Sequence, residues 1–316
     1  MAGVKLYAIS YDDQEILREF SEEQGIPYPL LSDIDSQVIR RYGILNDQIG
    51  REGAFLEGIP FPGAYVTNEA GVVIAKFFHD KYKKRDSPEN LLDAASGTIQ
   101  INGDEPNVRN SDPELPVSIF VRGGRGTIRQ GIIRHLVVRF ELPDGLHIYG
   151  EPVPDGMVPT TVNVSGTTGL VFEDPIFPPP EALVLKSANI ELRVWSGRVD
   201  VVIPFYAVGS LASETRPLDH DTANIDVELR YQACDDSICL PPQADSLSLR
   251  LKLDVVDVPA LGIHTGHGQR EGNFSATRHM RRLILRKFLK NPFGLPRLAL
   301  KTMQLERAAR QRAHQA

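Results

Sequence analysis

The chain has 316 residues, 41% of them hydrophobic, and a formal net charge of −6. That length exceeds one ordinary domain and suits two with a tail, and the hydrophobic share suffices for packed cores. No apolar run nears the roughly 20 residues that span a bilayer. The mild net charge singles out no partner, but its distribution is uneven: from Arg270 onward basic residues crowd together, opposed only by Glu271 and Glu306.

Met1–Val4 leads straight into a strand-like run, Val4–Ser10, so no signal peptide is read there. Asp12 or Asp13 can cap a helix running to about Gln24, with Ile16, Leu17 and Phe20 on one face and Gly25 as its stop. Leu30–Ser32 is a short strand. Asp35 or Ser36 then caps a helix over Gln37–Tyr42 that ends at Gly43. Ala64–Thr67 and Val72–Phe78 form a hairpin around Asn68–Gly71. Ser87-Pro88-Glu89 opens a last helix to about Ala95, with proline at the first helical position. Strands alternating with helices predict an α/β domain over residues 1–96, with a mostly parallel sheet and a terminal hairpin.

Residues 97–116 are rich in Asn, Asp, Gly and Pro and have the composition of a linker. From Val117 the character changes. Val117–Val121, Ile132–Leu142, Leu146–Tyr149, Thr160–Val164, Glu191–Val194, Val199–Phe205, Asn224–Tyr231 and Leu247–Val255 are short β-branched runs punctuated by Pro and Gly. They predict an antiparallel β-sandwich over residues 117–256. Pro204 interrupts one run, which places that strand at an edge or a bulge. Residues 257–316 carry the basic tail, where Met280, Leu283, Ile284 and Phe288 fall on one helical stripe.

The chain has two cysteines, Cys234 and Cys239, with four residues between them. Spacing alone leaves open a redox pair, a structural disulfide or two inert thiols. Zinc usually takes four ligands, and no His lies close in sequence to either Cys, so neither metal nor cofactor is expected. Asp235 and Asp236 are negative and should raise both thiol pKa values. That suits an acceptor disulfide or a slow donor better than an activated nucleophile.

Three segments carry a resemblance: Asp144-Gly145-Leu146-His147-Ile148-Tyr149, the run Val199–Phe205, and Tyr231-Gln232-Ala233-Cys234 followed by Ile238-Cys239-Leu240-Pro241-Pro242. Together they resemble the N-terminal periplasmic domain of the disulfide reductase DsbD, an immunoglobulin-like module that passes electrons by thiol–disulfide exchange. The resemblance implies that Cys234 and Cys239 are the exchanging pair. His147, Tyr149 and Tyr231 fall at positions flanking it, and a cap loop is implied between Phe172 and Trp195. At position 147 a His replaces an aromatic and can instead polarise a thiol or donate a hydrogen bond. The resemblance also implies a thioredoxin-like thiol/disulfide protein as partner, and a periplasmic location against a cytoplasmic one for the sequence as written.

Val4–Ser10, Glu15–Gln24, Gly25–Asp33 and Gly58–Val73 together resemble the peroxiredoxin-like branch of the thioredoxin fold over residues 3–95. Pro62 matches the active-site cis-proline of that fold. In that family the nucleophilic cysteine sits on a strand–loop–helix unit preceding the segment at Val4, and residues 1–233 hold no cysteine. Peroxidase activity is therefore not expected, and the sheet is expected to lack a central strand. A truncated start and a degenerate docking scaffold both fit.

The reading is a multidomain chain: an incomplete α/β thioredoxin-like domain, an all-β immunoglobulin-like sandwich and a basic helical tail. Its function is thiol–disulfide exchange at Cys234 and Cys239. The alternative is a non-enzymatic interaction module, with a structural disulfide and a tail (278–312) that docks a partner or an anionic membrane surface. No nucleic-acid reading module is recognisable.

Overall fold

The computed structural model describes residues 3–46, 58–79, 84–99, 105–185, 190–213, 216, 220–235, 238–255 and isolated positions between 281 and 303. The expected helices of the basic tail and its membrane contact fall largely outside the described residues. The chain divides into two compact units, Met1–Ile101 and Asn102–Ala316. Among the described residues no helix is long and apolar enough to cross a membrane.

The first unit contains β1 (Ala8–Ser10), α1 (Gln14–Gln24), β2 (Leu30–Ser32), α2 (Gln37–Arg41), β3 (Gly63–Thr67), β4 (Val73–Phe78), β5 (Arg85–Asp86) and α3 (Pro88–Ser96). Local signals account for most of these boundaries. Asp13 accepts hydrogen bonds from the amides of Glu15 and Ile16 at the start of α1, and Gly25 ends it in the left-handed conformation. Ser87 caps α3 with Pro88 in its first turn.

The start of α2 differs from expectation. Ser36 precedes it but makes no side-chain cap. The buried Asp33 does so instead, accepting from Val38 N at 3.1 Å and Ile39 N at 2.8 Å. A carboxylate reaching forward five and six residues satisfies two orphan amides at once. Asp33→Ala is expected to cost about 1–2 kcal/mol. Faster amide exchange at Val38 and Ile39, with the α1 amides unchanged, would confirm it.

β1 and β2 pair in parallel and β3 and β4 pair antiparallel, as two separate ribbons. The thioredoxin-like sheet is therefore in two pieces among the described residues. Its core is correspondingly small: Leu17, Ile39 and Val66 are the buried hydrophobics described there. Of the face predicted for α1, Leu17 is buried, whereas Ile16 and Phe20 remain half exposed because no described element covers them.

The second unit opens earlier than the linker composition suggested. Asn107–Arg109 forms β6 and pairs with β7 (Val117–Val121). There follow β8 (Thr127–Ile128), β9 (Ile132–Glu141), β10 (His147–Gly150), β11 (Thr161–Gly166), β12 (Leu170–Phe172), β13 (Glu181–Leu185), β14 (Ile190–Ser196), β15 (Arg198–Ala207), the single turn α4 (Gly209–Ala212), β16 (Thr222–Tyr231), β17 (Ala233–Cys234) and β18 (Gln243–Leu253). One sheet runs β12-β15-β9-β7-β6 and another β11-β16-β18-β8. β16 alternates buried and exposed along its length, as a strand with one wet face must. β9, in the middle of its sheet, is buried almost throughout. Phe140, Leu136, Ile203, Phe205, Ile225 and Leu249 belong to the core shared by the two sheets.

β15 is not at an edge. It pairs with β9 on one side and β12 on the other. The proline is accommodated because β12 stops at Phe172, opposite Phe205. In an antiparallel ladder a residue's N–H and C=O point to the same neighbour. Pro204 turns its carbonyl to Glu173 N at 2.8 Å, just past that end, so the donor it lacks is not missed by the ladder.

Candidate functional site

A third, smaller sheet carries Cys234, with Cys239 on the turn that follows it. Its order is β13-β14-β10-β17, with β17 at the edge. The two residues of β17 pair with β10: Cys234 lies opposite His147 and Ala233 opposite Ile148. On the other side of β10, His147 faces Ser196, Ile148 faces Trp195 and Tyr149 faces Val194. Directly opposed residues of an antiparallel pair share a face. Cys234, His147, Tyr149 and Val194 therefore project to one side of this sheet, and Ala233, Ile148 and Trp195 to the other.

The second face belongs to the main core, where Ile148 and Ala233 are fully buried. Trp195 stacks on Phe177 with ring centroids 5.0 Å apart, and its indole N–H donates to Pro178 O at 2.8 Å. A Cβ at Gly150 would lie 2.8 Å from the indole, so β10 ends where only glycine fits. The first face makes its own cluster, in which Cys234 packs with Tyr149, Leu192 and Val194, flanked by Leu183, Val153 and Met157. Leu183 comes from the span expected to hold a cap.

Cys234 and Cys239 form a disulfide with Cα atoms 4.0 Å apart. Their environments differ sharply: Cys234 has no exposed surface, while Cys239 is exposed beside Ile238, itself 64% exposed. The turn between them is held by more than sulfur. Asp235 N donates to Ile238 O and Leu240 N to Ala233 O, each at 2.9 Å. Ile238 N donates to the Asp235 carboxylate at 2.6 Å. Asp236 lies outside the described residues.

Gln232 is the residue whose role the sequence left unassigned. It is buried, accepts from Val158 N at 3.0 Å and donates to Leu240 O at 3.0 Å. One amide thus ties the strand before Cys234 to the chain after Cys239 and to the loop following β10. The signal was a lone amide between the buried Tyr231 and Ala233.

His147 and Tyr149 are both buried, and His147 Nε2 lies 3.0 Å from the Tyr149 hydroxyl, the rings edge to face. Burial pushes the Tyr149 hydroxyl above its ordinary range. Tyr231 sits elsewhere. Its ring lies in the main core edge-on to Phe140, and its hydroxyl donates to Asp245 at 2.9 Å.

Pro62 stands at the entry to β3, where Phe61 N donates to Ile44 O. The cis peptide bond among the described residues is Glu151–Pro152, so the cis assignment at Pro62 does not hold. An X–Pro bond is trans unless its surroundings select otherwise, and here the chain continues straight into a strand.

Residues 128–251 match the family model of the thiol:disulfide interchange protein DsbD, N-terminal. Residues 1–76 match that of the AhpC/TSA family. Among solved structures, the chain is similar to the N-terminal periplasmic domain of ScsB from Proteus mirabilis, at 19% identity over 47% of this chain and 52% of that one, with a TM-score of 0.32. The match thus spans about half of the ScsB domain. It is also similar to the Neisseria meningitidis DsbD N-terminal domain in the reduced form, at 18% identity over 38% of this chain and 82% of that one, TM-score 0.24. A complex between the DsbD and PilB N-terminal domains of Neisseria meningitidis matches at 18% identity over 36% of this chain and 73% of that one, TM-score 0.25. No curated protein matches. The two family matches point to thiol–disulfide exchange in general terms.

Proposed function

We propose that the second unit is a thiol–disulfide exchange module in which Cys234 and Cys239 cycle between disulfide and dithiol, and that a partner's thiolate attacks Cys239. The observation that carries this is the asymmetry of the pair: one sulfur sits on an exposed turn and the other is wholly buried. Exchange needs one reachable sulfur and a neighbour to leave or to resolve. His147 and Tyr149 shield the buried one. The partner is a thiol/disulfide protein whose active site accepts the exposed apolar tip at Ile238. The first unit contributes no thiol, since residues 1–233 contain no cysteine.

Magnitudes favour exchange over a structural role. A disulfide that closes so short a loop restrains the unfolded chain by only about 2 kcal/mol. The turn is also held by backbone, Asp235 and Gln232 hydrogen bonds, none of which uses a sulfur atom. The sandwich is thus expected to stay folded in both redox states, as a cycling pair requires.

Equilibration against defined thiol buffers, followed by alkylation and mass measurement, tests the reading. A midpoint between roughly −180 and −270 mV matches exchangers, and one below about −300 mV marks a structural bridge and overturns it.

A further inference from the structure

Exchange at Cys239 leaves a problem at Cys234. When the S–S bond breaks, the electron pair stays on a sulfur with no exposed surface. A buried thiolate is poorly solvated and a poor leaving group. The adjoining Asp235 carboxylate, held on Ile238 N, adds negative charge rather than relief. The leaving sulfur needs a proton from within the site.

We propose that His147 supplies that proton and that Tyr149 positions its ring; the proposal rests on the exchange reading above. His147 is the cross-strand partner of Cys234, on the same face of the sheet and buried with it. Such pairs bring Cβ atoms to about 5 Å, within reach of an imidazole. Histidine ordinarily titrates near neutral pH and so can both give and recover a proton there. Among the described residues, the other groups on this face do not replace it. Ser196 and Val194 oppose β10 from β14, and Glu181 lies one strand further away on β13. Val153 and Met157 pack on the face from the following loop, whose Glu151 and Asp155 are exposed. Tyr149 holds its own proton more tightly than a free tyrosine.

The step balances as follows. A partner thiolate attacks Cys239 Sγ, forming a mixed disulfide as the bond to Cys234 breaks. The proton on Nδ1 of the His147 imidazolium passes to Cys234 Sγ and leaves a neutral ring, whose Nε2–H still donates to the Tyr149 oxygen. The partner's second thiol, once it has lost its proton to solvent, attacks the partner's first sulfur in the mixed disulfide and releases Cys239 as thiolate. The site gains two electrons, and the partner's dithiol becomes a disulfide. In reverse, neutral His147 takes the proton from Cys234 as the bond closes.

The experiment measures reduction of the full chain by dithiothreitol across about pH 5.5–8.5, each rate divided by the thiolate concentration at that pH. The wild-type value should fall as pH rises and the imidazolium is lost. In His147→Gln it should be flat, and roughly 10²-fold lower near pH 6. Tyr149→Phe should keep the slope and move its midpoint. A His147→Gln profile that overlays the wild type overturns the proposal. If that variant fails to fold, a Tyr149→Phe profile identical to the wild type does so. Failure of the underlying reading looks different: the wild-type disulfide would then resist dithiothreitol at every pH.

Discussion

Alkylation of Cys239 in a Cys234→Ser variant is expected to be about two orders of magnitude faster than alkylation of Cys234 in Cys239→Ser. The reason is access before chemistry. Cys239 lies on an exposed turn beside Ile238, whereas Cys234 has no exposed surface and packs against Tyr149, Leu192 and Val194. A reagent reaches Cys234 only when β17 parts from β10, and an opening that costs about 3 kcal/mol lowers the reactive fraction roughly 10²-fold. The same asymmetry should appear with a protein partner. Cys234→Ser should accumulate a mixed disulfide through Cys239, and Cys239→Ser should accumulate none. The double variant should remain folded and exchange nothing. Equal rates for the two single variants would show that neither sulfur is the privileged target, and the assignment of Cys239 would fall. The prediction is independent of His147, because it reads which sulfur is reached and not how the other is protonated.

Much of this was legible in the residues, for reasons that differ by element. α1 and α3 were readable because their signals are local: Asp13 and Ser87 bond amides two or three residues on, and Gly25 and Gly97 take a conformation glycine favours. The long strands β16 and β18 were readable from alternation, and β9 and β15 from their β-branched apolar runs. The cap of α2 was not, since Asp33 lies outside the usual capping position and is recruited by the fold of the turn. β8, β12 and β17 run for two or three residues and owe their existence to a neighbour, which no window on the sequence reveals. At the site, the cysteines, His147 and Tyr149 were visible as a motif. Their division into one buried and one exposed sulfur depends on β17 ending at Cys234, a tertiary fact. Pro62 shows the opposite failure: matching position and residue type did not carry the peptide geometry with them.

Phe140→Ala is expected to remove about 3–5 kcal/mol from the second unit, a large part of an ordinary domain's stability. Phe140 is wholly buried in β9, opposite Val199 of β15 and Val117 of β7. Its ring meets Tyr231 edge to face at 5.2 Å, so the loss includes an aromatic contact as well as a cavity. Urea unfolding of the intact chain would measure it, with Val184→Ala, at a 55% exposed position, expected to stay within about 0.5 kcal/mol of wild type. The consequence extends to the cysteines because Tyr231 ends the strand that leads into β17. Its hydroxyl donates to Asp245, which also accepts from Asn110 at 3.0 Å, and Asn110 in turn receives Val117 N. Burial first, and then the Asp245 bond and charge, hold the Tyr231 hydroxyl far above its ordinary pKa. A group whose pKa is raised on folding contributes stability below its unfolded value and loses it above. The second unit should therefore lose stability as pH rises beyond about 10, and Tyr231→Phe should flatten that loss at the cost of about 1 kcal/mol near neutrality. If Phe140→Ala also speeds alkylation of Cys234 in the Cys239→Ser background, the core and the buried sulfur open together. If alkylation keeps its rate while global stability falls, Cys234 is reached by local parting of β17 alone.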